Sequence, residues 1–377
     1  MTQARPLHDS PADLVRRGDA ETPALCFSPR VLRETARRFV EGFPGTVTYA
    51  VKANPEPAVL ENLAAAGIAA FDVASLPEIA LLRATLPGAA LHYNNPVRAR
   101  GEIARAVAQG VRAFSLDSEG ELARLRAAVP AGAELSVRFK LDAKGAAYDF
   151  GAKFGAEPEA AAALLADVAR AGYAPALTFH PGTQCAPVAV WRAYVAAAAE
   201  IARAAGVEVA RLNVGGGFPA HRMTAEPPRL EPIFDAIGEE ARHAFGGAAP
   251  ALLCEPGRGM VAECCTLVTR VRAVRGAHVF LDDGIYGGLA EMLSLPMTDR
   301  LEVLSPEGVP RTGAPEPRTV FGPTCDSLDR LPGHPALPAD LAEGDAVLVR
   351  GMGAYSGVTA TRFNGFGALA MVTVRHL

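Results

Sequence analysis

One lysine, one histidine, one glutamate and a run of glycines carry the chemistry that this sequence can do. Lys52 stands at the end of a β-prone run, Thr46 to Val51, which breaks at Asn54-Pro55. Burial of a strand end favours a neutral amine, and a neutral, positioned amine can form a Schiff base with an aldehyde. Gly215-Gly216-Gly217 lets backbone N–H groups converge on an anion with no Cβ atoms in the way. Glu255, in Glu255-Pro256-Gly257-Arg258, offers a carboxylate for a ring nitrogen, and His180 a flat ring for stacking. A lysine for an aldehyde, glycines for a phosphate and a carboxylate for a pyridine nitrogen together describe pyridoxal 5′-phosphate (PLP). Singly, each residue has a plainer explanation: a solvated lysine, a hydrogen-bonded core histidine, a tight turn, a surface ion pair. Joint placement by the fold is what lifts them above it.

The elements that must place them follow a rhythm. Short β-rich runs at Thr46–Ala50, Ala69–Val73, Ala90–Tyr93, Ala113–Leu116, Glu134–Phe139, Ala176–Phe179, Arg211–Val214 and Ala251–Cys254 alternate with Ala/Leu/Arg/Glu-rich segments at helical period. Such alternation calls for right-handed crossovers and a parallel sheet, and eight units predict a closed TIM-like (β/α)8 barrel over residues 29–265. An open doubly wound sheet is the alternative and would close with fewer strands. Barrel chemistry sits at the C-terminal ends of the strands. Lys52 then ends the first strand, Asp72 the second and His180 the sixth, while the glycines follow the seventh and Glu255 the eighth, all on one rim. After residue 265 the rhythm changes to β-prone runs between Gly/Pro turns, which predicts a C-terminal antiparallel β-barrel or sandwich domain over 266–377. Ala24–Phe27 is expected to add a strand to it, and Gly308–Pro317 to form an exposed loop.

Composition bounds the function. Half of the 377 residues are hydrophobic, 21% are charged and the net charge is −4, so no basic field suggests nucleic acid. No signal peptide or membrane-length apolar run is evident, and the expectation is a cytoplasmic protein without membrane contact. Six cysteines lie scattered without metal-ligand spacing, apart from the adjacent pair Cys264-Cys265, and read as free thiols; no metal site is expected.

At this point the chain resembles the fold-type III PLP-dependent decarboxylases (ornithine, lysine and diaminopimelate decarboxylases), above all the ornithine/lysine branch. The resemblance rests on an ordered set of motifs from Tyr49 to Phe366. These are Tyr49-Ala-Val-Lys-Ala-Asn54, Phe71-Asp-Val-Ala-Ser75, Leu116-Asp-Ser-Glu119, Lys153-Phe-Gly155 and Phe179-His-Pro-Gly-Thr183. They continue with Gly215-Gly-Gly-Phe-Pro219, Glu255-Pro-Gly-Arg258, Asp283-Gly-Ile-Tyr286, Gly322-Pro-Thr-Cys-Asp-Ser-Leu-Asp329, Gly353-Ala-Tyr355 and Phe363-Asn-Gly-Phe366.

The resemblance implies roles. Lys52 would carry the cofactor as a Schiff base, with Asp72 among the cofactor-binding residues. His180 would stack on the ring and Glu255 would bind its nitrogen. Thr183, Gly215–Gly217, Gly257, Arg258 and Tyr355 would hold the phosphate. Cys325 would reach in from a second subunit to protonate the carbanion carbon, and Asp326 would touch the far end of the substrate, with Tyr286 also on the substrate side. A head-to-tail homodimer with shared active sites follows.

Two departures stand out. Ornithine decarboxylases carry a Tyr-Asp pair about eight residues beyond the Asp-Gly-Val-Tyr turn, and here Ser294-Leu295, followed by Pro296, takes its place. Pro181 replaces the usual Val or Ile. A carboxylate lost from an ammonium contact weakens binding by about 1.5–3 kcal/mol. The expected activity is therefore decarboxylation of an L-amino acid with a distal polar or amino group, ornithine- or lysine-like or a modified analogue. The alternatives are a racemase, against which Glu255 argues because racemases of this fold usually place Arg there, and an inactive regulatory homologue, against which intact Lys52, Glu255, Cys325 and Tyr355 argue.

Overall fold

The computed structural model describes residues 7–18, 23–99, 101–142, 144–148, 151–222, 226–295 and 299–377. The chain divides into two compact units. One comprises Ala36–Pro219 and Pro228–Met260; the other comprises the residues before Ala36, the segment Ala220–Pro227 and everything from Val261 onward. The grouping of residues 29–35 and 220–227 with the second unit is a feature of the tertiary contacts that strand and helix periodicity does not carry.

The first strand, β1 (Ala24–Phe27), belongs to the second unit. The next eight are β2 (Thr46–Ala50), β3 (Ala70–Val73), β4 (Ala90–Tyr93), β5 (Ala113–Leu116), β6 (Glu134–Arg138), β7 (Ala174–Thr178), β8 (Arg211–Asn213) and β9 (Ala251–Cys254). They pair in parallel, each with the next, and β9 returns to β2 through Thr46↔Leu253 and Val47↔Cys254, closing the barrel. Every strand is short and most of its residues are buried, as expected of a parallel barrel covered by helices. The amphipathic segments form those helices: Pro57–Ala65, Leu76–Thr85, Glu102–Ala108, Glu119–Arg126, Pro158–Arg170, Val188–Ala205 and Glu231–Phe245. None of the helices in the described residues is long and apolar enough to cross a membrane.

Local chemistry fixes the strand-to-helix turns that form the rim. After β3, Ser75 caps the next helix by accepting from Glu78 N–H at 3.4 Å, while Glu78 Oε2 accepts from the N–H of Ala74, just before the cap, at 2.6 Å. After β4, the buried guanidinium of Arg98 pairs with buried Glu121 at 2.5 Å and donates to the carbonyls of Tyr93 (2.6 Å) and Ser115 (2.8 Å). A fully enclosed pair of this kind needs further donors satisfied, and the two carbonyls take the second terminal nitrogen, while Nε is left without a hydrogen bond.

In the second unit, β10 (Cys265–Arg275) is central. It pairs antiparallel with β1, β11 (His278–Leu281) and β16 (Ala346–Arg350), and β12 (Leu301–Leu304) extends the sheet beyond β16. The sheet is predominantly antiparallel. Parallel pairings join β1 to β17 (Ala370–Thr373) and β11 to β14 (Thr319–Phe321). Ala24–Phe27 thus joins the C-terminal strands, as its β-prone residues predict. Gly308–Pro317 is not wholly a loop: Pro315–Pro317 forms β13, a short ribbon with β15 (Ala336–Pro338). Proline serves there because only one neighbour demands N–H donors.

Candidate active site

The rim at the C-terminal ends of the barrel strands gathers most of the residues singled out from the sequence. Lys52 is the exception to its expected environment. The chain leaves the β2 ladder at Ala50 and enters a 3-10 turn, Val51–Ala53, that carries the lysine out to an exposed position rather than a desolvated strand end. Its charge is nevertheless felt by Asp72, Glu78, His180 and Glu255.

Glu255 follows β9 directly and is buried, with its N–H donating to Gly215 O at 2.8 Å. Its Oε1 accepts from the side-chain amides of both Asn94 and Asn213. Burial pushes the Glu255 carboxyl up; the Asn213 amide, the charges of Lys52 and Arg138, and the Asn94 amide all oppose that. Asp72, buried on β3, is pushed well above the carboxylate range by burial and then by the Glu255 charge. Two buried carboxyls this close share their protons, and the one with more donors and cations keeps its charge. Burial and the Glu255 charge thus favour the proton on Asp72, while the amides and cations around Glu255 favour its charged form.

His180 lies two residues beyond β7. Burial, Arg138 and Lys52 hold its imidazole well below the usual range. Its Nδ1 accepts from Gly182 N–H at 3.1 Å, the bond of a neutral ring. A neutral ring can stack on a pyridinium without charge repulsion.

The glycines fill a space that no side chain could share. A Cβ on Gly216 would lie 2.8 Å from Glu255 O and 3.2 Å from His180 Nε2. Gly217, at φ +90°, would meet Gly182 O at 2.2 Å, and Gly215, at φ +69°, would meet Phe179 O at 2.2 Å. The loop is thus pressed against the backbone behind the imidazole and the carboxylate. Gly215 N–H donates to Asn213 Oδ1 at 2.9 Å. Thr183 is buried nearby in sequence, its N–H on Tyr148 O at 2.9 Å, and Cys185 N–H donates to Gly217 O at 2.8 Å, tying this loop to the glycines. Gly257 and buried Arg258 open the short helix Arg258–Val261. A glycine cradle, a buried carboxyl held by two amides, a neutral imidazole and an accessible amine on one rim fit a phosphorylated pyridine aldehyde.

Three rim residues escaped the sequence analysis. Asn94 follows β4, Arg138 ends β6 with its guanidinium 5.2 Å from the Phe154 ring, and Asn213 ends β8. Each is a polar residue at the C-terminal end of a barrel strand, the signal that could have found it.

Tyr286, Cys325, Asp326 and Tyr355 belong to the second unit. There the Tyr286 hydroxyl donates to Asp326 Oδ2 at 2.6 Å, a bond that pulls the Asp326 carboxyl down and the phenol up. Cys325, the exposed member of six free cysteines, donates from both its N–H and its thiol to Asn364 Oδ1 at 3.1 Å. Tyr355 adopts a left-handed φ of 63°. Ser294 is exposed and Leu295 is buried; Pro296 lies outside the described residues.

The comparisons with known proteins agree with this geometry. Residues 30–262 match the family model described as pyridoxal-dependent decarboxylase, pyridoxal binding domain. The lysine/ornithine decarboxylase of Selenomonas ruminantium is 35% identical over 330 residues, 85% of this chain and 81% of that protein. Among solved structures, SrLDC in complex with PLP and cadaverine superposes with a TM-score of 0.84 at 31% identity, covering 98% of this chain and 95% of that one. The lysine/ornithine decarboxylase of Vibrio vulnificus complexed with cadaverine gives 0.82 at 27% identity, covering 97% and 99%. This chain belongs to the PLP-dependent decarboxylase family of fold-type III and is an amino-acid decarboxylase that uses pyridoxal 5′-phosphate.

Proposed function

We propose that the substrate is an L-amino acid with a distal cationic or polar group, for which ornithine itself is a second-rate choice, and that a cytoplasmic homodimer completes each site. The observation that carries this reading is Leu295, buried where ornithine decarboxylases supply a carboxylate. Glu291, one turn earlier, does not substitute for it, because the buried guanidinium of Arg222 pairs with it at 3.5 Å and donates to Leu295 O at 3.1 Å. Asp326 is then the principal anion for the distal end, and the Tyr286 hydroxyl keeps it charged and aimed.

The roles follow from the chemistry of each group. Lys52 Nζ would hold the aldehyde carbon of the cofactor. His180 would cover one ring face, and Asp72 would stand behind as the protonated partner of Glu255. Glu255 Oε2, the oxygen not taken by the two asparagines, would hold the proton at the ring nitrogen. The Gly215 amide is spent on Asn213, so Gly216, Gly217 and Gly257 amides with Thr183, Arg258 and Tyr355 are assigned to the phosphate. Bound pyridoxal phosphate supplies an electron sink for the pair released when the α-carboxylate leaves as CO2. Cys325 of the partner subunit would return a proton to the α-carbon, giving the amine.

Racemisation is disfavoured by Glu255, since a fully protonated ring nitrogen favours the deeper sink that decarboxylation needs. Measuring CO2 release from L-ornithine, L-lysine, L-arginine and their N-modified analogues tests the proposal. Turnover of any of these with ornithine below the best substrate supports it. Racemisation without CO2 release, or ornithine as the best substrate, overturns it.

A further inference from the structure

Glu255 has one oxygen committed and one to offer. Its Oε1 accepts from Nδ2 of Asn94 on one side and Nδ2 of Asn213 on the other. Neither amide is placed by chance. Asn213 Oδ1 accepts from Gly215 N–H at 2.9 Å, which decides that its nitrogen end faces Glu255. Asn94 stands on backbone pinned from both sides: its N–H donates to Val73 O at 3.2 Å, and its carbonyl accepts from Ser115 Oγ at 2.6 Å. The Asn94 side chain also bonds the Asp72 carboxyl, so one amide touches both buried acids of the rim.

We propose that Asn94 is a positioning residue for the cofactor ring: its amide holds Oε1 of Glu255 against Asn213 and so turns Oε2 toward the ring nitrogen. This rests on the reading of Glu255 as the partner of that nitrogen. Two amides on one oxygen leave the carboxylate a single orientation, whereas one amide permits rotation about χ3, a broad torsion. Without Asn94 the buried carboxylate also loses a donor to its charged form, which favours its protonation. A protonated Glu255 cannot hold a pyridinium proton.

The effect must be confined to ligands that possess a ring nitrogen. Apoprotein is titrated with pyridoxal 5′-phosphate and with its 1-deaza analogue, in which a C–H replaces that nitrogen. In the wild type the natural cofactor should bind more tightly than the analogue. Asn94→Ala should weaken the cofactor by about 10-fold, the loss expected of one charge-assisted bond, and leave the analogue unchanged. The isosteric Asn94→Asp, which replaces the donor with an acceptor, should erase the preference altogether and serves if the alanine variant does not fold. Equal weakening of both ligands, or no weakening of either, overturns the proposal. Glu255→Ala separates it from the reading on which it rests. If Glu255→Ala abolishes the preference while both Asn94 variants keep it, the positioning role alone is lost. If Glu255→Ala itself keeps the preference, the ring-nitrogen role and the inference fall together.

Discussion

Gly216→Ala isolates what the glycine loop is for. Unlike its two neighbours, Gly216 does not occupy the left-handed region, so alanine is conformationally permitted there and the cost is steric. The added Cβ would lie 2.8 Å from Glu255 O, where ordinary contact begins at 3.4 Å, and 3.2 Å from His180 Nε2. The nearer atom is backbone and cannot rotate away, so the loop must withdraw by about half an ångström, at about 1–3 kcal/mol of overpacking. On the proposed phosphate assignment a displaced amide would also lose a bond to the ligand, and a charged-group bond of about 1.5–3 kcal/mol corresponds to about 10–150-fold in Kd. The assay is thermal unfolding of the apoprotein together with a cofactor titration followed by visible absorbance. Gly120→Ala is the control: it sits in the helix Glu119–Arg126 with nothing within 4 Å of its Cβ, and should stabilise slightly, by about 0.5–1 kcal/mol. If Gly216→Ala binds cofactor like the wild type while losing stability, the loop is a packing device and the phosphate assignment is wrong.

Lys52→Ala should abolish the borohydride-trappable adduct; a reduced pyridoxyl group on another lysine in the peptide map would refute the assignment. Mixing Lys52→Ala with Cys325→Ala subunits should restore about a quarter of wild-type activity, because random pairing makes about half the dimers mixed, each with one intact site. No recovery in verified mixed dimers would defeat the shared site. Burial raises the Asp283 carboxyl to about 7, so the folded state keeps a proton that the unfolded chain has lost. Stability contributed by this group should be complete below pH 4 and fall as pH rises to about 7, by on the order of 3–4 kcal/mol. Chemical denaturation at pH 4.5 and 7.5 should therefore show a flatter dependence in Asp283→Asn, and parallel curves would count against the assignment.

The alternation of short β-prone runs with helical periods was enough to call for eight parallel strands, because period-2 and period-3.6 patterns are properties of local chain geometry. Closure of β9 on β2 follows from the count of units. Lys52, His180, Gly215–Gly217 and Glu255 were legible for a similar reason, since each stands just beyond a strand and the barrel sends every such residue to one rim. What sequence order does not contain is which side chains converge across that rim. Asn94 and Asn213 are 119 positions apart and meet on one oxygen only because their strands have been brought round the barrel to Glu255. The exposure of Lys52 was likewise decided by the 3-10 turn after Ala50, where the ladder ends one residue sooner than the β-prone run. In the second unit, β13 and β15 pair across an 18-residue interval with no periodic pattern, so propensity alone leaves Pro315–Pro317 as a loop. The commitment of Glu291 to Arg222, which removes it as a substitute carboxylate, is a contact between residues 69 positions apart. Local pattern thus determined the elements and the rim; the protonation and aim of the groups on it depended on burial and on partners that only the folded chain supplies.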